Sequence, residues 1–248
     1  MALFGFLGGK KTTVGLDIGS GIIKLAVVDH SGSEPELTKV ATTEVAADAI
    51  VEGEVMDPGI VAEAIRGLFS TAGVKQKSVV TAVGGRDVIV KKIQMDRMKE
   101  QDAREVIRWE AEQHVPFDMA SVELDFQILD PDAEGLQMDV LLVAVKRELV
   151  EGRVSLLGEA GLQAAVIDVD AFAIHNALEL NHPDATSGGG ARIPGLNDAL
   201  AGRLKVPVEM ASPVQRLRYR DAAFQAVAID EVAPLLMLSV GLALRRTS

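Results

Sequence analysis

The sequence predicts an α/β protein whose sheet-and-helix body is interrupted by a self-contained strand–helix–strand–strand unit. Three observations lead there. The run V-G-L-D-I-G-S-G-I-I-K-L-A-V-V-D, Val14 to Asp29, reads as two apolar strands joined by a glycine turn. Asp57–Thr71 reads as a capped amphipathic helix. Ser78–Gly161 carries its own alternating strands and amphipathic helices, and so its own core.

In chain order, Val14–Ile18 and Ile22–Asp29 form the opening hairpin, and Glu36–Ala46 adds a third strand. The helix Asp57–Thr71 has Asp57 as N-cap and Pro58 at its first position, with Ile60, Ala64, Ile65 and Leu68 as its apolar stripe. Ala72-Gly73 ends it. V-V-T-A-V and D-V-I-V-K-K-I are strands around Gly84-Gly85. A helix follows from about Lys99 to His114, stopped by Pro116. V-E-L-D-F-Q-I-L, from Val122, alternates strictly, Met138–Val145 is a strongly apolar strand, and Arg147–Ala160 is a helix with Val150, Val154 and Leu157 inward. Ala164–Val169 returns to strand and Ala171–Leu180 to helix. Beyond His182-Pro183 come a glycine loop, Ser187–Leu196, a helix near Leu196–Leu204, a strand Val206–Met210 and an apolar helix over Glu231–Arg246. No internal repeat is evident.

Composition excludes several classes of function. The 248-residue chain has no cysteine, which removes disulfides, thiolate metal sites and thiol nucleophiles. Its formal charge of −11 argues against sequence-independent nucleic-acid binding, which needs a cationic face. His30, His114, His175 and His182 show no metal-ligand spacing. The start, M-A-L-F-G-F-L-G-G-K-K, has the wrong order for a signal peptide, and Ala233–Leu244 is too short to span a bilayer. The expectation is a soluble protein without a transmembrane segment.

The residues that could carry chemistry are few. In the opening turn, Gly19 and Gly21 lack a Cβ, so the backbone can take positive φ and approach an oxyanion. Successive N–H groups there form an anion-binding concavity, and Asp17 can hold Mg²⁺ through water. Ser187–Ala191 is a second loop that admits a ligand close to backbone. No Walker A motif, Rossmann fingerprint or nucleophile elbow is present. Projecting Lys99–His114 as a helix puts Ala103, Val106, Ile107, Glu110, Ala111 and His114 on one face. Glu110 therefore needs a partner, with Arg104, Arg108 or backbone amides as candidates. Trp109, the only tryptophan, falls off that face beside Asp102, Glu105 and Glu112. It is either a partner anchor or a contact with the neighbouring domain.

Taken in order, D-I-G-S-G-I-I-K, I-R-W-E-A-E-Q-H-V-P-F and S-G-G-G-A-R-I-P-G resemble the PilM family, actin-like cytoplasmic proteins of bacterial type IV pilus assembly related to FtsA. The resemblance spans Thr12 to Arg246. It implies an actin/Hsp70-like (ribonuclease H-type) nucleotide-binding fold with an inserted SHS2-type subdomain, 1C. Residues 1–77 and 163–186 would form subdomain 1A, 78–162 subdomain 1C, and 187–248 part of subdomain 2A. By similarity, Asp17, Gly19, Ser20, Gly21 and Lys24 fall on the first phosphate motif, and Gly188, Gly189, Gly190 and Ala191 on the adenosine motif. The resemblance implies ATP with Mg²⁺ as cofactors. It also implies binding of the cytoplasmic N-terminal tail of PilN in a groove between 1A and 1C, with Trp109 as a contact. Further implications are attachment at the inner membrane through pilus platform proteins and self-association of the kind actin relatives show.

One departure qualifies this expectation. Family members carry a second phosphate-binding hairpin and subdomain 2B before the S-G-G-G-A loop, yet Thr186 is followed at once by Ser187. Either the region is deleted or a longer protein is represented without it; the second half is incomplete as numbered. As written, the chain is expected to be at best a weak ATPase and mainly a nucleotide-dependent binding protein, with no catalytic residue assigned. Alternatives are an FtsA-like division protein, for which Leu235–Arg246 lacks the basic amphipathic face, and a small-molecule kinase of the same superfold.

Overall fold

The computed structural model describes residues 12–129, 131, 134–182, 211–225 and 227–245. They fall into two compact units, one from 1–82 with 156–248 and the other from 83–155.

The first unit is built on a six-stranded sheet. β1 (Thr12–Ile18) and β2 (Ile22–Asp29) are antiparallel, and β3 (Glu36–Glu44) continues the meander with a bulge at Val27/Val28. A two-residue turn with positive φ at Glu52 (50°) and Gly53 (89°) joins β4 (Ile50–Val51) to β5 (Glu54–Val55). That is the signature of a type I′ hairpin, an element the sequence reading passed over because its strands are too short to alternate. After α1 (Pro58–Thr71), β6 (Ser78–Val83) lies parallel to β1, with Gly15 opposite Val80. β10 (Gln163–Val169) flanks β6 at one edge and β11 (Arg218–Tyr219) flanks β3 at the other.

Both faces of this sheet are covered, which is why β1 and β2 read as nearly continuous apolar runs. On one face Val14, Leu16, Ile23 and Leu25 pack with Ile65, Leu68 and Phe69 of α1 and with Leu157. α1 starts where expected, because Asp57 accepts a hydrogen bond from the Ile60 N–H at 3.0 Å and Pro58 follows. Its buried face is Val61, Ala62, Ile65, Leu68 and Phe69, whereas Ile60 is exposed. The stripe is therefore rotated from the expected one, since the first turn still projects into solvent.

The other face is covered by α4 (Asp170–Asn181) and by the terminal segment. The expected single helix over Glu231–Arg246 is instead a short turn α5 (Ile229–Val232), a 3₁₀ turn at Ala233–Leu235 and α6 (Met237–Leu244). Pro234 has no N–H to continue the ladder, so the helix restarts after it. α6 packs on β1, β2 and α4, and its approach depends on two glycines. A Cβ at Gly15 would run into the Ser239 carbonyl and lie 2.6 Å from the Ala243 nitrogen; one at Gly241 would overlap the Ala173 backbone. Arg245 ends the segment by pairing at 2.8 Å with Asp168, whose side chain is almost wholly buried.

The chain leaves α4 and returns at one point. The Ser212 N–H donates to His182 Nε2 at 3.0 Å, while Asn181 Oδ1 accepts from the N–H groups of Arg216 (2.8 Å) and Leu217 (3.0 Å). The Thr186–Ser187 junction, the helix expected near Leu196–Leu204 and the strand Val206–Met210 lie outside the described residues. Residues 211–225 and 227–245, placed by the sequence reading in a partial second subdomain, pack in the first unit through Val214, Leu217, Leu236 and Val240.

The second unit is a three-stranded antiparallel sheet, β7 (Val88–Asp96), β9 (Gln137–Lys146) and β8 (Val122–Ile128) in that spatial order. α2 (Glu100–Glu112) lays Ala103, Ile107 and Ala111 against Ile93, Met95, Val122, Met138, Val140, Leu142 and Ala144. Small residues at Ala103 and Ala111 let the helix sit close to the sheet. α3 (Arg147–Glu159) then leads back to the first unit, where Leu156 and Leu157 enter its core. Val154, expected inward, is 49% exposed.

Candidate functional site

The opening hairpin places its polar residues by register. Asp17 is the penultimate residue of β1, and the β1–β2 pairing sets it directly opposite Lys24. Residues directly opposite in an antiparallel pair have neighbouring side chains. Lys24 Nζ lies 2.6 Å from Asp17 Oδ2, with side chains 14% and 8% exposed. Two residues the sequence named separately are thus each other's partner. Removing either member of a largely desolvated pair of this kind leaves the other charge buried without a partner.

The turn between them, Gly19-Ser20-Gly21, opens to solvent at Ser20 and Gly21. Neither glycine takes positive φ, contrary to the expectation. Space is tight at Gly19 instead: a Cβ there would lie 3.0 Å from the Ile22 carbonyl, which would have to give by a few tenths of an ångström, and 3.5 Å from Lys24 Nζ. Gly21 has open space on that side, and its carbonyl accepts from the Val45 N–H at 3.1 Å. The arrangement is a tight, pinned hairpin tip with a lysine beneath it. An anion at the tip would meet Lys24, at the cost of loosening its bond to Asp17.

A metal fits less well. Among the described residues no group of three His, Cys, Asp or Glu side chains converges. A cation at Asp17 would compete with the Lys24 ammonium for the same carboxylate. The second expected cofactor segment, Gly188, Gly189, Gly190 and Ala191, lies outside the described residues.

The other candidate is α2. Trp109 is 72% exposed, and among the described residues no cation or ring stacks on it. Glu110 does not find the partner the helix projection called for. Arg104 pairs with Glu100 at 2.5 Å, and Arg108 donates to the Met119 carbonyl. Glu110 is only half-buried, so water solvates its carboxylate and the requirement lapses.

What the sequence reading missed is tertiary: the glycine contacts at Gly15 and Gly241, the Asp168–Arg245 pair and the Asn181–His182 clasp. Asp168 alone carried a signal, as the one charged residue in β10, next to last in the strand.

Comparison with known proteins agrees with this architecture. The model of the family described as type IV pilus assembly protein PilM matches residues 15–184, a span that holds the tip of the opening hairpin, Asp17 to Lys24, and all of the second unit. Among solved structures the chain is similar to the PilM-PilN type IV pilus biogenesis complex. The identity is 24%, with 95% of this chain and 98% of that chain covered and a TM-score of 0.82. A lesser likeness is to the cytoplasmic domain of EpsL, an inner membrane component of the type II secretion system of Vibrio cholerae (17% identity, 65% and 58% covered, TM-score 0.44). Another is to the ethanolamine utilization protein EutJ from Carboxydothermus hydrogenoformans (16% identity, 94% and 89% covered, TM-score 0.41). The fold is the actin-like α/β fold, and the chain belongs to the type IV pilus assembly protein PilM family.

Proposed function

We propose that this chain is an ATP-binding adaptor of type IV pilus assembly that receives the cytoplasmic N-terminal tail of PilN. Through that contact it couples the inner-membrane platform to the cytoplasmic side. The observation that carries this reading is the fold match, over 95% of the chain, to a PilM protein solved with PilN. The exposed Trp109 on a helix of the second unit adds a place for a peptide anchor. No helix among the described residues is long and apolar enough to cross a membrane, so in this reading the partner tail supplies the attachment.

The nucleotide enters the proposal through the hairpin. Gly19, Ser20 and Gly21 would offer backbone to a phosphate and Lys24 a cation, and Gly188, Gly189, Gly190 and Ala191 are the residues proposed to contact the adenosine. Mg²⁺ brought in with ATP would neutralise phosphate charge; Asp17 is the carboxylate proposed to face it, in competition with Lys24. The chain's own residues bind and orient; none is assigned a hydrolytic step. The role is therefore that of a binding protein whose shape responds to nucleotide.

Calorimetric titration of a synthetic PilN cytoplasmic tail into the full chain, with and without ATP and Mg²⁺, tests the reading. Saturable binding whose affinity changes with nucleotide is expected. A tail that binds in neither state removes the adaptor role, and nucleotide-independent binding removes the coupling.

A further inference from the structure

The outward face of α2 holds more than a lone tryptophan. Asp102, Glu105, Trp109 and Glu112 follow one another in steps of three, four and three residues, so they share one arc of the helix. All four are exposed. Among the described residues none of the three carboxylates makes an ion pair or a hydrogen bond through its side chain. The helix's own arginines are committed elsewhere, Arg104 to Glu100 and Arg108 to the Met119 carbonyl. The arc therefore presents an unstacked indole flanked by uncompensated negative charge, opposite the face that packs on the sheet.

This combination selects its occupant. Covering the arc with a neutral apolar or acidic segment would desolvate carboxylates without giving them partners, which is unfavourable. A lysine or arginine laid on the indole gains a cation–π contact and meets a carboxylate on either side. We infer that the Asp102–Glu105–Trp109–Glu112 face docks a cationic, Lys/Arg-bearing stretch of the partner's cytoplasmic tail. The inference rests on the adaptor reading above. Cytoplasmic segments close to a membrane-spanning helix carry an excess of Lys and Arg, so an inner-membrane partner supplies the charge this face lacks.

The face also contains its own reporter, because Trp109 is the chain's only tryptophan. A fluorescence titration of the full chain would use two synthetic peptides, the PilN cytoplasmic tail and the same tail with each Lys and Arg replaced by Gln. Both would be run on the parent and on a Glu105→Gln/Glu112→Gln variant, whose changes lie at solvated positions away from the core. The expected result is a shift in tryptophan emission with the native tail and affinity that falls as salt is raised. A loss of roughly tenfold is expected either in the variant or with the Gln tail. Binding seen by calorimetry with unchanged emission and unchanged affinity in the variant overturns the inference and leaves the adaptor reading intact. Equal affinity of the Gln tail overturns it too, by making the contact apolar. An emission shift with protein concentration alone, tracking a dimer in sedimentation, assigns the face to a second copy instead. A tail that does not bind at all overturns both proposals together.

Discussion

Helices α6 and α2 are built to opposite ends. In α6, Ser239, Val240, Gly241, Leu242 and Ala243 are all buried, and the helix is pressed between β1, β2 and α4 so closely that glycine is needed on both sides. In α2 only Ala103, Ile107 and Ala111 are buried, and the opposite face carries Trp109 among carboxylates. The first helix has its surroundings supplied entirely by its own chain. The second has half of its surroundings supplied and half left open. Free surface with an unsatisfied aromatic is where a partner can contribute binding energy without first displacing internal contacts.

That contrast breaks most sharply at the glycines. Gly241→Ala is expected to cost about 3 kcal/mol or more, because the new Cβ meets backbone of Ala173 and not a flexible side chain. Gly67→Ala in α1, where nothing lies within 4 Å, should instead add up to ~1 kcal/mol. Urea midpoints of the two variants decide it. Equal midpoints would mean the α4–α6 approach is not the constraint described here.

Next in size is the hairpin pair. Lys24→Met leaves the Asp17 carboxylate largely buried without its cation and should cost about 3 kcal/mol, most of it recovered when Asp17→Asn is added. Additive losses in that double-mutant cycle would show the two side chains to be independent.

At α2 the effect moves from stability to binding. Trp109→Ala should weaken binding of the PilN tail by roughly 2 kcal/mol and leave the unfolding midpoint within ~0.5 kcal/mol of the parent. A large loss of stability with unchanged affinity would turn Trp109 into a packing residue.

The smallest expected effect is a pH dependence at Asp29. The Ser31 N–H, then the Ser31 hydroxyl, hold its carboxyl below the usual value, with Arg220 adding. A carboxyl lowered by folding stabilises the fold above its unfolded value and loses that contribution as pH falls through its folded one. Asp29→Asn should therefore cost less than ~1 kcal/mol at neutral pH. Urea midpoints of parent and variant should draw together as pH falls from the usual carboxylate range through the lowered folded value, and a difference that persists below that value would sink the assignment.

Much of the fold was legible because local rules and tertiary packing agree. β8 shows its alternation in V-E-L-D-F-Q-I, and α1 starts where Asp57-Pro58 predicts. α2 ends at Glu112, two residues short of the expected His114 and ahead of Pro116. The candidate site was legible as residue types in the turn but not as an arrangement. Nothing local shows that Asp17 and Lys24 bind each other, since that follows from cross-strand register. The glycines of the turn were read for backbone freedom, whereas neither takes positive φ and only at Gly19 is space tight. Glu110 was read as buried because a wheel projection has no depth; the helix sits so that water reaches it.

By itself the sequence determined the alternation of strands and helices, the bounds of most of them, the family resemblance and the acidic, tryptophan-bearing face of α2. Each is a property of neighbours along the chain: periodicity, capping, charge spacing. Only the tertiary structure decided that α6 lies across β1 on Gly15, that Arg245 closes on Asp168, and that Asn181 and His182 clasp the returning chain at Ser212, Arg216 and Leu217. Those contacts join residues far apart in sequence. Their energies depend on how closely two surfaces approach, which no local pattern encodes.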